Sequence, residues 1–348
     1  MASLIANMKP IALIALIAMI AVLAGGAAAC GGGEDGGADG SSTQPNRVGG
    51  DDGSAPQRNP AGGGGGDGRR KTPTAPAKRR SLIVGIGEQN SPMFSDKRFR
   101  DLGIEHARLV VPYDAVGRRT ERELADLWLA EAKRARVEPF ITFGHSREHR
   151  TKLPSAAEFR AAFRAFHERY PDVKVFAPWN EINHVSQPTA RSPRRAAEYY
   201  NVVKEECTGC TVLAGDVLDQ RGMTRYVRRY RRHLDGEPSI WGLHNYGDTN
   251  RFRTSGLREM LRTVSGDVWL TETGGIVKLG RSLPRDERRA ARSVSFALKL
   301  ARENERVKRV YFYNWTAARP TDRFDSGLMG RDGTPRPGYH ALRNALGD

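Results

Sequence analysis

The sequence predicts an α/β fold, a (β/α)8 TIM barrel over residues 81–348, preceded by a signal peptide and a disordered linker. Three observations predict it. Eight short apolar, β-branched runs alternate with amphipathic helical stretches, a pattern that calls for a parallel sheet with helical crossovers. The segment from Ser81 to Asp348 is long enough for one barrel, which takes about 250 residues. The string GIGEQN after the first run has only two glycines and no ribose-binding acid at the expected distance, which argues against an open dinucleotide-binding sheet.

The chain opens with Lys9, an apolar core from Ile11 to Ala24, and a small-residue exit at Gly25–Ala29. Residues 1–29 therefore read as a signal peptide, and the apolar core falls short of the roughly 20 residues that span a bilayer. Cys30 follows in AAAC and resembles the lipidated cysteine of bacterial lipoproteins, which implies a membrane tether; an ordinary signal cut would leave a free thiol instead. The expected location is extracellular or on the outer face of the cytoplasmic membrane. Residues 30–80 are rich in Gly, Pro, Ser and Asp and show no apolar periodicity, so they cannot bury a core.

Strands are expected at Leu82–Ile86, Ala107–Val111, Glu138–Phe143, Val173–Trp179, Thr211–Ala214, Ile240–His244, Val268–Thr271 and Val310–Trp315. Between them, Thr120–Arg136 places Leu124, Leu127, Trp128 and Ala132 on one helical face, and Ala157–Tyr170 does the same with Phe159, Phe163 and Phe166. Ser192 can cap a helix starting at Pro193. Further helices are expected at Asp96–Leu102, Gly222–Leu234, Ser255–Val264, Asp286–Asn304 and Gly338–Leu346.

The net charge of +16 is mostly arginine. These residues are scattered along the helices, which fits a solvated outer layer better than a nucleic-acid footprint, so no nucleic acid is expected. A milder consequence is attraction to an acidic polysaccharide or envelope. Cys207 and Cys210 stand in ECTGC without a second cysteine pair, so a small disulfide is expected. His145 and His149 are four apart but do not form HExxH, and the other histidines lack ligand spacing. No metal or other cofactor is expected, and the protein is expected to be a monomer.

In a closed barrel the reacting groups lie at the carboxyl ends of the strands. Those ends present Glu88, Gln89 and Asn90; Tyr113 and Asp114; His145; Asn180 and Glu181; His244, Asn245 and Tyr246; Glu272; and Asn314 and Trp315. Arg108 lies inside the second strand. Polar groups thus converge on one rim, Glu181 and Glu272 among them. WNE at the fourth strand, HNY at the sixth, TETG at the seventh and NW at the eighth resemble the retaining (β/α)8-barrel glycoside hydrolases of clan A, which include cellulases, β-xylosidases and β-1,3-glucanases. The resemblance covers essentially all of residues 81–348.

That resemblance implies Glu181 as acid/base and Glu272 as nucleophile, about 5–5.5 Å apart. Partial burial and the neighbouring charge would keep the acid protonated near neutral pH. Arg108 and Tyr246 would support the ionised nucleophile, and Asn180 would bind the sugar 2-hydroxyl. His244 would line the site, Trp315 would serve as a sugar platform, and His145 and Glu88 would complete the substrate-binding rim. The expected activity is hydrolysis of β-glycosidic bonds in a polysaccharide with retention. The short loop HVSQPTARSP after the fourth strand favours endo action. The alternative is an inactive barrel that binds envelope glycans.

Overall fold

The computed structural model describes residues 82–347, so the expected signal peptide, Cys30 and the expected linker lie outside the described residues. Nine parallel strands form the main sheet: β1 (Ile83–Gly87), β2 (His106–Pro112), β3 (Glu138–Gly144), β4 (Val175–Ala177), β5 (Thr211–Val212), β6 (Asp216–Leu218), β7 (Ile240–His244), β8 (Asp267–Thr273) and β10 (Val307–Tyr313). Their order is β5-β4-β3-β2-β1-β10-β8-β7-β6. The two edges belong to one interrupted strand. The Leu213 N–H donates to the Phe176 carbonyl beside β4, and the Ala214 N–H donates to the Ile240 carbonyl of β7, at 2.9 and 3.0 Å. The sheet therefore closes on itself, as the eight expected strands require. Two short antiparallel strands, β9 (Lys278–Leu279) and β11 (Phe324–Asp325), pair outside the barrel and were not expected from sequence.

The strand alternation sorts side chains into two apolar layers. Phe140, Val175, Ala177, Leu213, Trp269 and Tyr311 pack together in one cluster. Their strand neighbours, such as Ile141, Phe143, Phe176 and Leu270, point the other way into the larger core shared with the helices. In β3 this leaves Thr142 on the same face as Phe140, where it meets the Arg108 side chain.

The helices are α1 (Lys97–Asp101), α2 (Arg119–Arg134), α3 (Ala156–Arg169), α4 (Pro193–Glu206), α5 (Met223–Arg231), α6 (Tyr246–Arg251), α7 (Ser255–Thr263), α8 (Glu287–Arg302) and α9 (Pro337–Gly347). All but α6 match expected stretches. Ser192 caps α4 by accepting from the Arg195 N–H, and Ser155 with Glu158 forms a capping box on α3. In α2 the buried face differs from the expected one. Ala125, Trp128 and Ala132 are buried, while Leu124 and Leu127 remain 39 % and 48 % exposed. Trp128 sets the helix rotation, because its indole N–H donates to the Glu88 carbonyl at 2.9 Å.

Cys207 and Cys210 form a disulfide where α4 ends and β5 begins. Among the described residues no helix is long and apolar enough to cross a membrane.

Candidate active site

The site brings together residues from six strands or their carboxyl ends, β2, β3, β4, β6, β7 and β8. Glu272 reaches the site through an irregularity in β8. Gly242 pairs with Trp269 but His244 pairs with Glu272, and on the other side Val310 pairs with Leu270 but Phe312 pairs with Thr273. Both neighbours thus see one extra residue in β8, a β-bulge. Trp269 faces the inner cluster, so strict alternation would send Glu272 outward. The bulge turns it inward. Glu181 follows β4 with φ of +46°, a left-handed conformation that costs a non-glycine residue about 1–3 kcal/mol. The turn is pinned on both sides, by the Asn180 N–H on the Phe143 carbonyl and the Ile182 N–H on the Asp216 carbonyl.

Arg108 is the hub. Its Nη1 donates to Glu272 Oε2 at 2.8 Å, and its Nη2 donates to Asn180 Oδ1 and Asp216 Oδ2, each at 2.7 Å. Its Nε donates to Thr142 Oγ1 at 3.0 Å. The Tyr246 hydroxyl donates to the other oxygen of Glu272, Oε1, at 3.1 Å. His244 Nδ1 lies 3.2 Å from Glu181 Oε1 and 4.0 Å from Glu272 Oε2. One ring nitrogen thus hydrogen-bonds Glu181 and lies within ion-pair range of Glu272, and those two oxygens are no more than about 7 Å apart. Glu181 Oε2 is buried without a hydrogen-bond partner among the described residues.

The electrostatics follow from these contacts. Burial opposes charge on His244, but the Glu272 field and the hydrogen bonds to Asp216 and Glu181 outweigh it and raise the imidazole to about 9. Burial likewise opposes the ionised form of Asp216, but Arg108 and His244 hold it below the usual carboxylate range. Burial, and then the Glu272 charge, push the Tyr246 phenol well up. Two buried cations, Arg108 and His244, thus face three carboxyl groups, Asp216, Glu181 and Glu272.

Sequence reasoning named six members of this cluster: Arg108, Asn180, Glu181, His244, Tyr246 and Glu272. Three other expected residues lie elsewhere. Glu88 is a structural latch. Its Oε1 accepts from the Gln89 N–H, the Asn90 N–H and Asn90 Nδ2, and its Oε2 from the Trp315 and Thr316 N–H groups. It ties the end of β1 to the end of β10 and has no acceptor capacity left for a sugar. Trp315 belongs to the core. Its ring stands at right angles to Phe99 and Tyr339, and its indole N–H points to Asp96. His145 hydrogen-bonds Gln187 at 3.2 Å and none of the cluster.

Two residues were missed. Asp216 sits on Gly242, where an added Cβ would come within 2.2 Å of its carboxylate; glycine at that place is what lets the acid approach. Tyr313 feels the charges of Glu272, Glu88 and Glu181, and burial raises its phenol well up. The alternation Tyr311, Tyr313 at the end of β10 was the available signal. Beside the strand end carrying His145, a cleft of about 640 Å³ is lined by Arg147, Glu148, His149, Arg150, Thr151 and Lys152. Arg147 and Lys152 are paired with Glu121 and Glu158, so the cleft is not an open positive patch.

A barrel closed by eight parallel strands, with paired glutamates at its carboxyl rim, is the architecture of the clan A (β/α)8 glycoside hydrolases, and the comparisons with known proteins agree. The family model described as the glycosyl hydrolase catalytic core matches residues 152–339, more than half of the 348-residue chain, and the protein belongs to that family. Among solved structures, a GH10 endoxylanase retrieved from a sugarcane soil metagenome aligns with TM-score 0.54 at 11 % identity, covering 76 % of this chain and 96 % of that one. Xylanase B from Clostridium stercorarium F9 aligns with TM-score 0.56 at 14 % identity, covering 76 % and 96 %. A GH5_18 protein from Streptomyces cattleya, in complex with GlcNAc, aligns with TM-score 0.55 at 16 % identity, covering 77 % and 80 %. At these identities the likeness shows the fold alone. No curated protein sequence matches the chain.

Proposed function

We propose that the protein is an exported glycoside hydrolase that cleaves β-glycosidic bonds inside a polysaccharide with retention of configuration. The observation that carries this reading is the placement of Glu181 and Glu272 around one nitrogen of His244, at 3.2 and 4.0 Å. The resulting bound of about 7 Å admits the roughly 5–5.5 Å at which retaining enzymes hold their two carboxyl groups around one anomeric carbon.

In this reading Glu272 Oε2 or Oε1 attacks the anomeric carbon while Glu181 gives its proton to the leaving oxygen. Glu181 Oε2, which makes no hydrogen bond among the described residues and lies 3.8 Å from His184 Nδ1, supplies that proton to the glycosidic oxygen. Asp216, held ionised by Arg108, is not the proton donor. In the second step Glu181 takes a proton from water, which attacks the glycosyl–Glu272 ester from the side the leaving group vacated. Arg108 and Tyr246 hold both oxygens of Glu272, so the nucleophile is oriented before substrate binds. Arg108 also holds the Asn180 carbonyl oxygen, which leaves the Asn180 amide N–H groups to donate to a sugar hydroxyl. Tyr313, carried inward by its alternation with Tyr311, takes in this reading the place expected of Trp315.

Two solved structures of similar fold carry xylobiose and GlcNAc, and a β-linked pyranoside is the ligand class proposed here. Export rests on the signal-like residues 1–29. The test is a covalent label. A 2-fluoro-glycoside of the sugar that the wild-type enzyme turns over should leave its mass on the peptide containing Glu272, and NMR should show the β-anomer released first. Turnover with inverted product, or a label on another residue, would overturn the assignment.

A further inference from the structure

Tyr246 stands at the first position of α6, a helix of six residues that its own N-cap does not secure: the Asn245 side chain makes no capping hydrogen bond. The start of α6 is held instead from another strand. Asp219, in the loop after β6, accepts the Gly247 N–H on Oδ1 at 2.9 Å and the Asp248 N–H on Oδ2 at 2.8 Å. Its own N–H donates to the His244 carbonyl at 3.0 Å, which locks the acid to the end of β7. Glycines permit the approach on two sides. A Cβ at Gly247 would lie 2.9 Å from Asp219 Oδ2, and one at Gly256 would lie 2.9 Å from the Asp219 Cβ. Asp248 passes the clamp on, accepting the Gly256 and Leu257 N–H groups at the start of α7.

We propose that Asp219 is a positioning residue for the reaction: by clamping the first turn of α6 it aims the Tyr246 hydroxyl at Glu272. This rests on the reading of Glu272 as nucleophile. The bidentate clamp involves the two residues next in sequence to Tyr246, so a loosened turn moves the phenol directly. The phenol in turn has one acceptor, Glu272 Oε1, and its ring is braced by the edge contact to Phe324. The charged groups facing Asp219 are Asp248 on α6 and Arg253 just beyond it. Burial, with Asp248 adding to it, raises Asp219 to about 7 against the pull of the two N–H groups. Both oxygens of the clamp accept an N–H, so an isosteric amide at this position turns a donor toward a donor.

The test is a double-mutant cycle of Asp219→Asn and Tyr246→Phe, read as the rate of covalent labelling of Glu272 by a 2-fluoro-glycoside and as kcat and KM. Tyr246→Phe should slow labelling by about 10- to 100-fold, the range expected for a lost hydrogen bond to a charged group. Asp219→Asn should slow it by a part of that, mainly in kcat. The double variant should be no slower than Tyr246→Phe alone, because the effect of Asp219 passes through the phenol. Asp219→Ala serves as the second variant, and amide hydrogen exchange at Gly247 and Asp248 should accelerate in both. Multiplying losses in the double variant, or faster exchange with unchanged labelling, would leave Asp219 a purely structural cap and overturn the proposal. Failure of the underlying reading looks different: Glu272→Ala would keep wild-type turnover.

Discussion

Arg108 Nη1 donates to Glu272 Oε2 at 2.8 Å, across 164 positions of sequence. The same guanidinium holds Asn180 and Asp216, so one buried fork orients the candidate nucleophile, its sugar-binding neighbour and the balancing acid. Replacing it tests the cluster as a unit. Arg108→Ala leaves carboxylates buried without their cation and should cost about 3–5 kcal/mol of stability, read by urea unfolding. Arg108→Lys keeps the charge but loses the fork, and should lower activity with a smaller stability loss.

Glu181→Gln should lower turnover of a polysaccharide by about 10²–10⁴-fold, the range for a lost general acid. An aryl glycoside with an acidic phenol needs no proton in the first step, so its glycosylation should suffer far less. Steady-state and burst kinetics on the two substrates check this. Equal losses on both would remove Glu181 from the acid role.

His244 sets a pH window for stability. Its folded value is raised to about 9 from an ordinary 6.5. The stabilisation it contributes is therefore fully present below 6.5 and is lost as the pH rises through 9. Wild-type unfolding free energy should fall across that interval, and His244→Gln should flatten the slope. Parallel curves for the two proteins would count against a charged His244.

Trp315 and Tyr313 separate core from site. Trp315→Ala opens a void against Phe99 and Tyr339 and should cost about 3–5 kcal/mol. Tyr313→Ala should chiefly raise KM. If thermal unfolding and kinetics showed the reverse pattern, Trp315 would return to the site.

Glu88 behaves as a latch. Glu88→Gln replaces an acceptor of five N–H donors by a group that donates on one side. Stability should drop by about 1–3 kcal/mol, the cost of buried donors left unmatched, with KM unchanged in the folded fraction.

The barrel and the polar strand ends were legible in the sequence, because apolar alternation and helix caps are local properties. The resemblance of WNE, HNY and TETG to clan A motifs then singled out Asn180, Glu181, His244, Tyr246, Glu272 and, inside the second strand, Arg108. The tertiary structure alone decided which way the borderline residues face. A period of two assigns a face only while the register holds. The extra residue in β8 reverses Glu272 relative to Trp269, and no stretch of β8 read alone contains that information; it appears only when β7 and β10 pair with the strand. The same reason explains Trp315. Strand β10 ends at Tyr313, so alternation carries Tyr313 inward and lapses before Trp315, which turns to the core beside α1 and α9. Asp216 stayed hidden because its partners come from β2 and β7, and its place depends on a glycine 26 residues away in sequence that leaves room for it.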